Sequence, residues 1–223
     1  VMVNINLLTP GFTSPNGCAF LFPLIYHENL LRDSGINLRL FSKFSSNLFD
    51  ADIIAVDSKF HKSMWENQKE EIFSQFLKLK KKFKKLIYFD TTDSSGNLQS
   101  DLFDYLDVYC KGQVLKNKEK YLESFYGNRI YTDFAHKKYK VNDKVPEYSL
   151  KIKKKTDLKK IKLSWNTGLA DYSVFGPFYM GTYKYLPLKI LLNYKNISLR
   201  KKKKNILFRF CSSYSKETVS WQR

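Results

Sequence analysis

Four short apolar runs separated by helix-patterned stretches fill the first ninety residues, and that alternation constrains the fold more than any other feature. "VNINLLT" (3–9) reads as a buried strand closed by Pro10-Gly11. "INLRLFS" (36–42) has the two-residue period of a strand, "DIIAVDS" (52–58) is short and apolar, and "KLIYFDT" (85–91) ends the series. Between the first two, "GCAFLFPLIYHENLLRDSG" (17–35) reads as one helix, with Pro23 early in it and Gly35 as its stop. Before the fourth, Ile72, Phe73, Phe76, Leu79, Phe83 and Leu86 recur at three- and four-residue steps. That spacing predicts one apolar helix stripe with lysines on the solvated side. Strands alternating with helices imply a parallel sheet covered on both faces, so a Rossmann-like, doubly wound α/β fold is expected.

After Gly96 the pattern loosens. Short helices are expected near 99–105 and 116–125, with a strand at "DVYCK" between them. The basic stretch 137–160 reads as a loop, "KIKLSWN" (160–166) as a strand, and 177–194 as helical with a break at Pro187. "NILFRF" (205–210) opens a new strand, and Ser215 is a plausible N-cap for "SKETVSWQR". A helix that short cannot hold itself. The expectation is therefore a domain over 1–199 and the start of a truncated second Rossmann-like domain over 200–223.

Composition narrows the functional classes. A hydrophobic fraction of 43% and an aromatic fraction of 16% exclude global disorder. No apolar stretch approaches the roughly 20 residues of a membrane-spanning helix. Cys18, Cys110 and Cys211 are too scattered for a zinc site or a disulfide framework and suggest reduced thiols in a cytosolic protein. The net charge of +18 is lopsided: residues 1–67 carry five Lys/Arg against six Asp/Glu, which leaves +19 for the rest. The excess lies in "KLKKKFKKL" (78–86), "KIKKKTDLKKIK" (151–162) and "RKKKK" (200–204). Such a field attracts nucleic acid, acidic lipid or nucleotide phosphates. An AT-rich coding sequence would produce the same Lys-, Asn- and Ile-rich composition without any such partner.

In an open parallel sheet, ligands bind outside the carboxyl ends of the strands. "PGFTSPNG" (10–17), "DSKFH" (57–61) and "DTTDSSGN" (90–97) each follow a strand and so share one edge. Asp50-Ala51-Asp52 precedes its strand, on the opposite edge, and reads as a turn instead of a metal-holding pair. "GPFYMGT" (176–182) has the two-glycine spacing of a phosphate loop, but Thr182 stands where the lysine belongs. Around Asp90 and Asp93 three readings stay open: a well-capped turn ending in Gly96, a sugar- or phosphate-facing rim, and an Asp-nucleophile phosphatase site. His61 and His136 are candidate general bases, because imidazole can be tuned near neutral pH; His27 lies on a helix.

The order of "LLTPGF…NG", "LLRDSGINLRLF", "DADIIAVDS", "FDTTDSSG…DLFDYLDVYCKGQ" and "KLSWNTGLADY" resembles the acceptor-side half of a GT-B glycosyltransferase. The similarity is to the bacterial type that works in surface-polysaccharide or lipopolysaccharide biosynthesis. It implies two Rossmann-like domains across a cleft, a nucleotide-sugar donor, a glycan or lipid-linked acceptor, and no resident cofactor or metal. It also implies a cytoplasmic enzyme, peripheral on the inner membrane face, whose first half alone is inactive. Carried over by position, Gly11, Phe12, Asn16, Asp57 and Thr92 would contact the acceptor and Arg209 the donor phosphates. Asp93, His61 and His136 are the candidates for catalysis. The first loop has one glycine where the family commonly pairs two. Where many retaining members carry a histidine, this chain has Asp90, Thr92 and Asp93. Two other classes remain: a basic, non-catalytic nucleic-acid-binding module, disfavoured because the lysine runs lack interleaved stacking aromatics, and the phosphatase.

Overall fold

The computed structural model describes residues 1–92, 94–165, 167–169 and 194. Six strands form one all-parallel sheet: β1 (Val3–Leu8), β2 (Ile36–Phe41), β3 (Ile53–Asp57), β4 (Leu86–Asp90), β5 (Val108–Lys111) and β6 (Ile161–Leu163). Their spatial order is β2-β1-β3-β4-β5-β6. The chain leaves β1 toward one side of the sheet and leaves β3 toward the other. The fold is a Rossmann-like, doubly wound α/β arrangement with its switch point between β1 and β3. The proposed second domain, the 205–210 strand, the 177–194 helix apart from Tyr194, "GPFYMGT", Cys211 and Arg209 lie outside the described residues.

Alternation along the strands sorts side chains into two cores. Leu7 and Ala55, with the partly buried Ile87 and Phe89, face one helix, α1 (Pro15–Tyr26), through Cys18, Phe20, Leu21, Phe22 and Ile25. Leu8, Ile54, Val56, Leu86 and Tyr88 face the other way, onto Ile72, Phe76 and Leu79 of α3 (Lys69–Lys82). Each such side chain contributes about 1.5–3 kcal/mol by leaving water. Trp165, just past β6, stacks on Phe20 at 5.2 Å and donates its indole N–H to the Phe20 carbonyl oxygen, fastening α1 to the far edge of the sheet.

The apolar stripe marks α3 well but overruns it. The helix ends at Lys82; Phe83 is extended yet buried, and Leu86 belongs to β4. The single helix expected over 17–35 is two: α1 and α2 (Glu28–Asp33), broken at His27, whose φ and ψ of −101° and 21° are non-helical. The His27 ring meets the Tyr194 hydroxyl at 2.6 Å, a tertiary contact that no local periodicity encodes. The helices expected at 99–105 and 116–125 shrink to 3-10 turns at Ser100–Leu102 and Lys118–Leu122. Conversely, the stretch read as a loop from 137 begins inside α4 (Ile130–Tyr139) and ends in a 3-10 helix at Lys155–Lys160.

Two lysine runs have structural roles. Lys80 bonds Asp107 at 2.6 Å, and the rest of its run faces solvent along α3. In the second run Lys153, Lys154 and Lys155 pair with Asp101, Asp104 and Glu119. The Asp50 carboxylate pairs with Arg39, and that of Asp52 accepts the Asn4 amide, both at the amino-terminal edge.

Phe76 is fully buried against Tyr88, His61 and Tyr105. Phe76→Ala is expected to destabilise the domain by about 3–5 kcal/mol, measured as a fall in the urea midpoint at unchanged slope.

Candidate functional site

At the carboxyl edge, β1 ends in Thr9 and the chain turns sharply at Gly11, whose φ of +74° favours glycine. The loop folds back so closely that a Cβ on Gly17 would lie 2.8 Å from the Gly11 carbonyl oxygen. Ser14 caps α1 by accepting the Gly17 amide, and Pro15 begins the first turn. Beside this loop, β3 runs into a 3-10 helix, Ser58–His61, which presents Lys59 and Lys62. The two segments enclose an open cleft of ≈ 400 Å³ lined by Pro10, Thr13, Ser14, Pro15, Asn16 and the two lysines. It lies at the switch point of the sheet, beside the start of α1, with two lysines in its lining.

Asp57 underlies the cleft. Its carboxylate is buried and accepts the Thr9 hydroxyl (3.0 Å), the Lys59 amide (3.0 Å) and the Thr91 hydroxyl (3.1 Å). Burial pushes its carboxyl above the usual value, and these three hydrogen bonds pull the other way. The ends of β1, β3 and β4 are thereby joined: the three polar segments do share one rim.

A second network lies at the ends of β4 and β5. Asp90 accepts the Thr92 hydroxyl (2.6 Å) and amide (3.0 Å) on one oxygen, and the Tyr109 hydroxyl and Lys111 ammonium, both at 2.6 Å, on the other. Lys111 also donates to the Thr92 hydroxyl oxygen at 2.9 Å. The Asp90 and Lys111 side chains are 1% and 0% exposed. Desolvation together with the Asp90 charge raises the Tyr109 phenol well above its ordinary value. A nucleophilic Asp90 would first have to give up four donors; of the turn ending in Gly96, Asp93 lies outside the described residues and the Ser94 hydroxyl donates to the Asn128 carbonyl oxygen.

Of the residues expected to bind an acceptor, Gly11 and Asn16 belong to the cleft loop, Asp57 supports it from below, Thr92 belongs to the second network, and Phe12 packs against the α1 core. Asp93 and Arg209 lie outside the described residues. His61 points away from the cleft, buried against Phe76 and bonded through Nε2 to the Gln75 side-chain oxygen at 2.9 Å. Its Nδ1 has no partner among the described residues. His136 sits on α4, stacked on Tyr126 at 4.0 Å, with Nδ1 at 2.9 Å from the Val141 carbonyl oxygen. The structure therefore does not gather the two histidines at the rim.

Thr13, Ser14 and Lys62 in the cleft, and the pairing of Lys111 with Asp90, were not singled out from sequence. The signal was present in "TSP", an N-cap followed by proline, and in a lysine closing "VYCK". Among the described residues no group of three His, Cys, Asp or Glu side chains is placed to hold a metal ion, and no helix is long and apolar enough to cross a membrane. No family model, curated protein or solved structure matches the chain.

Three outcomes are expected. Lys111→Met strands a buried carboxylate and should cost about 3–5 kcal/mol in urea unfolding. Lys80→Met, which breaks a half-exposed pair, should cost about 1 kcal/mol or less. Burial lowers the His61 pKa from its ordinary value of 6.5, with the Gln75 bond opposing. Between that lowered value and 6.5 the unfolded chain binds a proton that the folded chain refuses, so stability falls as pH drops through this window. NMR titration should place the ring below 6.5, and His61→Leu, whatever its absolute stability, should flatten that part of the stability profile; titration at or above 6.5 would contradict the burial argument.

Proposed function

We propose that the chain is the acceptor-side half of a nucleotide-sugar-dependent glycosyltransferase of the GT-B type, and that the switch-point cleft receives the acceptor. The observation that carries the reading is the cleft's chemistry. Hydroxyl and amide groups on Thr13, Ser14 and Asn16 suit sugar hydroxyls, while Lys59, Lys62 and the start of α1 suit a phosphate. Asp57 holds the loops in register and is a positioning residue in this scheme. With its oxygens already engaged it is poorly placed to accept a proton from an acceptor hydroxyl. Among the described residues the cleft lining includes no carboxylate or imidazole. The chain's share of the reaction is therefore to bind, orient and neutralise charge, leaving proton removal to Asp93 or to the donor-side half. Effective concentration and charge stabilisation are the terms such a half supplies. The reading includes a cytoplasmic location at the membrane face, where a lipid-linked acceptor resides.

The experiment pairs binding with turnover. Isothermal titration of an isoprenyl-diphosphate-linked sugar into the 223-residue chain is expected to show saturable binding, weakened about tenfold or more by Lys59→Ala/Lys62→Ala. In a transferase containing both halves, the same pair should raise the acceptor KM far more than it lowers kcat. If neither acceptor nor any nucleotide-sugar binds, the transferase reading fails.

A further inference from the structure

Twelve large hydrophobic side chains stand exposed among the described residues, and six of them, Tyr131, Phe134, Tyr139, Val145, Tyr148 and Leu150, fall within one twenty-residue stretch. A monomer rarely leaves such a cluster in water without using it. The inner side of α4 is filled: Tyr126 stacks on His136, and Asp133, 7% exposed, accepts the Tyr126 amide and pairs with Lys137. Tyr131, Phe134 and Lys138 lie at three- and four-residue steps along the outer side. An isolated bridge between Tyr126 and Tyr148 brings the 145–150 segment alongside. Residues 129–151 hold six Lys/Arg against three Asp/Glu, one of which is the inward-facing Asp133.

We infer that this surface, the outer face of α4 with the 145–150 segment, docks on an anionic phospholipid bilayer. Aromatic rings interspersed with lysines suit the headgroup level, where rings sit at the interface and lysine stems lie along apolar surface with their heads toward phosphate. Single-stranded nucleic acid is the other anion such a composition could attract. The geometry disfavours it: the Lys138 ammonium caps the rings of Phe134 (5.2 Å) and Tyr139 (5.1 Å), and those rings meet edge to face at 83°. Val145 and Leu150, 75% and 45% exposed, have a place among acyl chains and none in a stacking platform. The inference rests on the membrane-face location included in the transferase reading and gives it a surface, but its test needs no sugar, so failure to adsorb and failure to bind acceptor are separate outcomes.

The test is cosedimentation of the 223-residue chain with phosphatidylcholine vesicles, with and without phosphatidylglycerol, at physiological salt. Binding is expected to the phosphatidylglycerol vesicles and to fall about tenfold or more in Tyr131→Ser/Phe134→Ser. Lys78→Gln/Lys81→Gln/Lys82→Gln, which removes three charges from α3, should leave it nearly unchanged. Phe134→Trp keeps an interfacial ring and should bind at least as well as the parent, which guards against loss through misfolding. Failure of the parent to bind, an equal loss in the α3 variant, or full binding by the double-serine variant overturns the inference. Binding of an oligothymidylate that the double-serine change abolishes, with vesicles ignored, reassigns the surface to nucleic acid.

Discussion

One buried carboxylate ties together what this sheet would otherwise leave loose. A parallel sheet delivers the ends of its strands to the same edge, but the loops beyond them have no ladder to hold them. Asp57 supplies that hold: the Thr9 hydroxyl comes from β1's end, the Lys59 amide from its own loop, and the Thr91 hydroxyl from β4's end. Because β1 and β3 are where the winding reverses, the fastened point is also where neighbouring loops diverge and leave a cleft. Desolvating the carboxylate is unfavourable, and the three donors offset that only in part, which is the direction of its shifted titration. A charge kept under such strain beneath a polar cleft fits a rim that must stay in one shape.

Alongside it, the Asp90–Lys111 pair solves a neighbouring problem with different means. Here the carboxylate meets a full positive charge, a phenol and a threonine; the ammonium and the phenol lie beneath the surface and the threonine is half-buried. The two networks share the loop at residues 91–92 and so lock the β4 end from both sides. Polar residues crowded behind a buried strand need not be reactive; at this end of the sheet most of them are consumed in holding one another. The groups left facing the cleft are those of the β1 loop and the turn after β3, a division that topology dictates and local composition does not reveal.

That division explains what could be read from the sequence. The alternating runs through residue 91 delimit four strands and α3, because each buries a regular apolar face whose period shows in the chain. Even the shared edge of the three polar segments follows from strand order. The later half is harder to read. Nothing caps α4 by side chain, and it is set up by backbone turns, with Gly127 and Asn128 at φ of 63° and 60° and Lys140 in the left-handed region at its end. Its aromatics face outward, so no inward stripe announces it. The role of His61 was equally hidden: its place behind β3 looks like the rim until the 3-10 turn swings the ring onto Gln75 and Phe76. Partners on another element decide such cases, 14 residues away for His61 and Gln75 and 48 away for Asp57 and Thr9.

The position of α4 connects the cleft edge to the proposed lipid surface. Ser94, in the loop after β4, donates to the Asn128 carbonyl oxygen at 3.4 Å, and Gly96 packs beside Asn128 and Arg129 at the start of the helix. Hence α4 begins at the carboxyl edge of the sheet, the edge that carries the cleft. Adsorption through its outer face would bring that rim toward the headgroups, and an acceptor anchored in lipid would reach the cleft without leaving the bilayer. The lysines divide accordingly: those of residues 153–155 pair with Asp101, Asp104 and Glu119, most of those on α3 face solvent, and Lys138 on α4 combines with exposed rings. Charge of one sign thus serves several ends on one small domain, and the group mixed with aromatics is the one whose chemistry suits the proposed lipid surface.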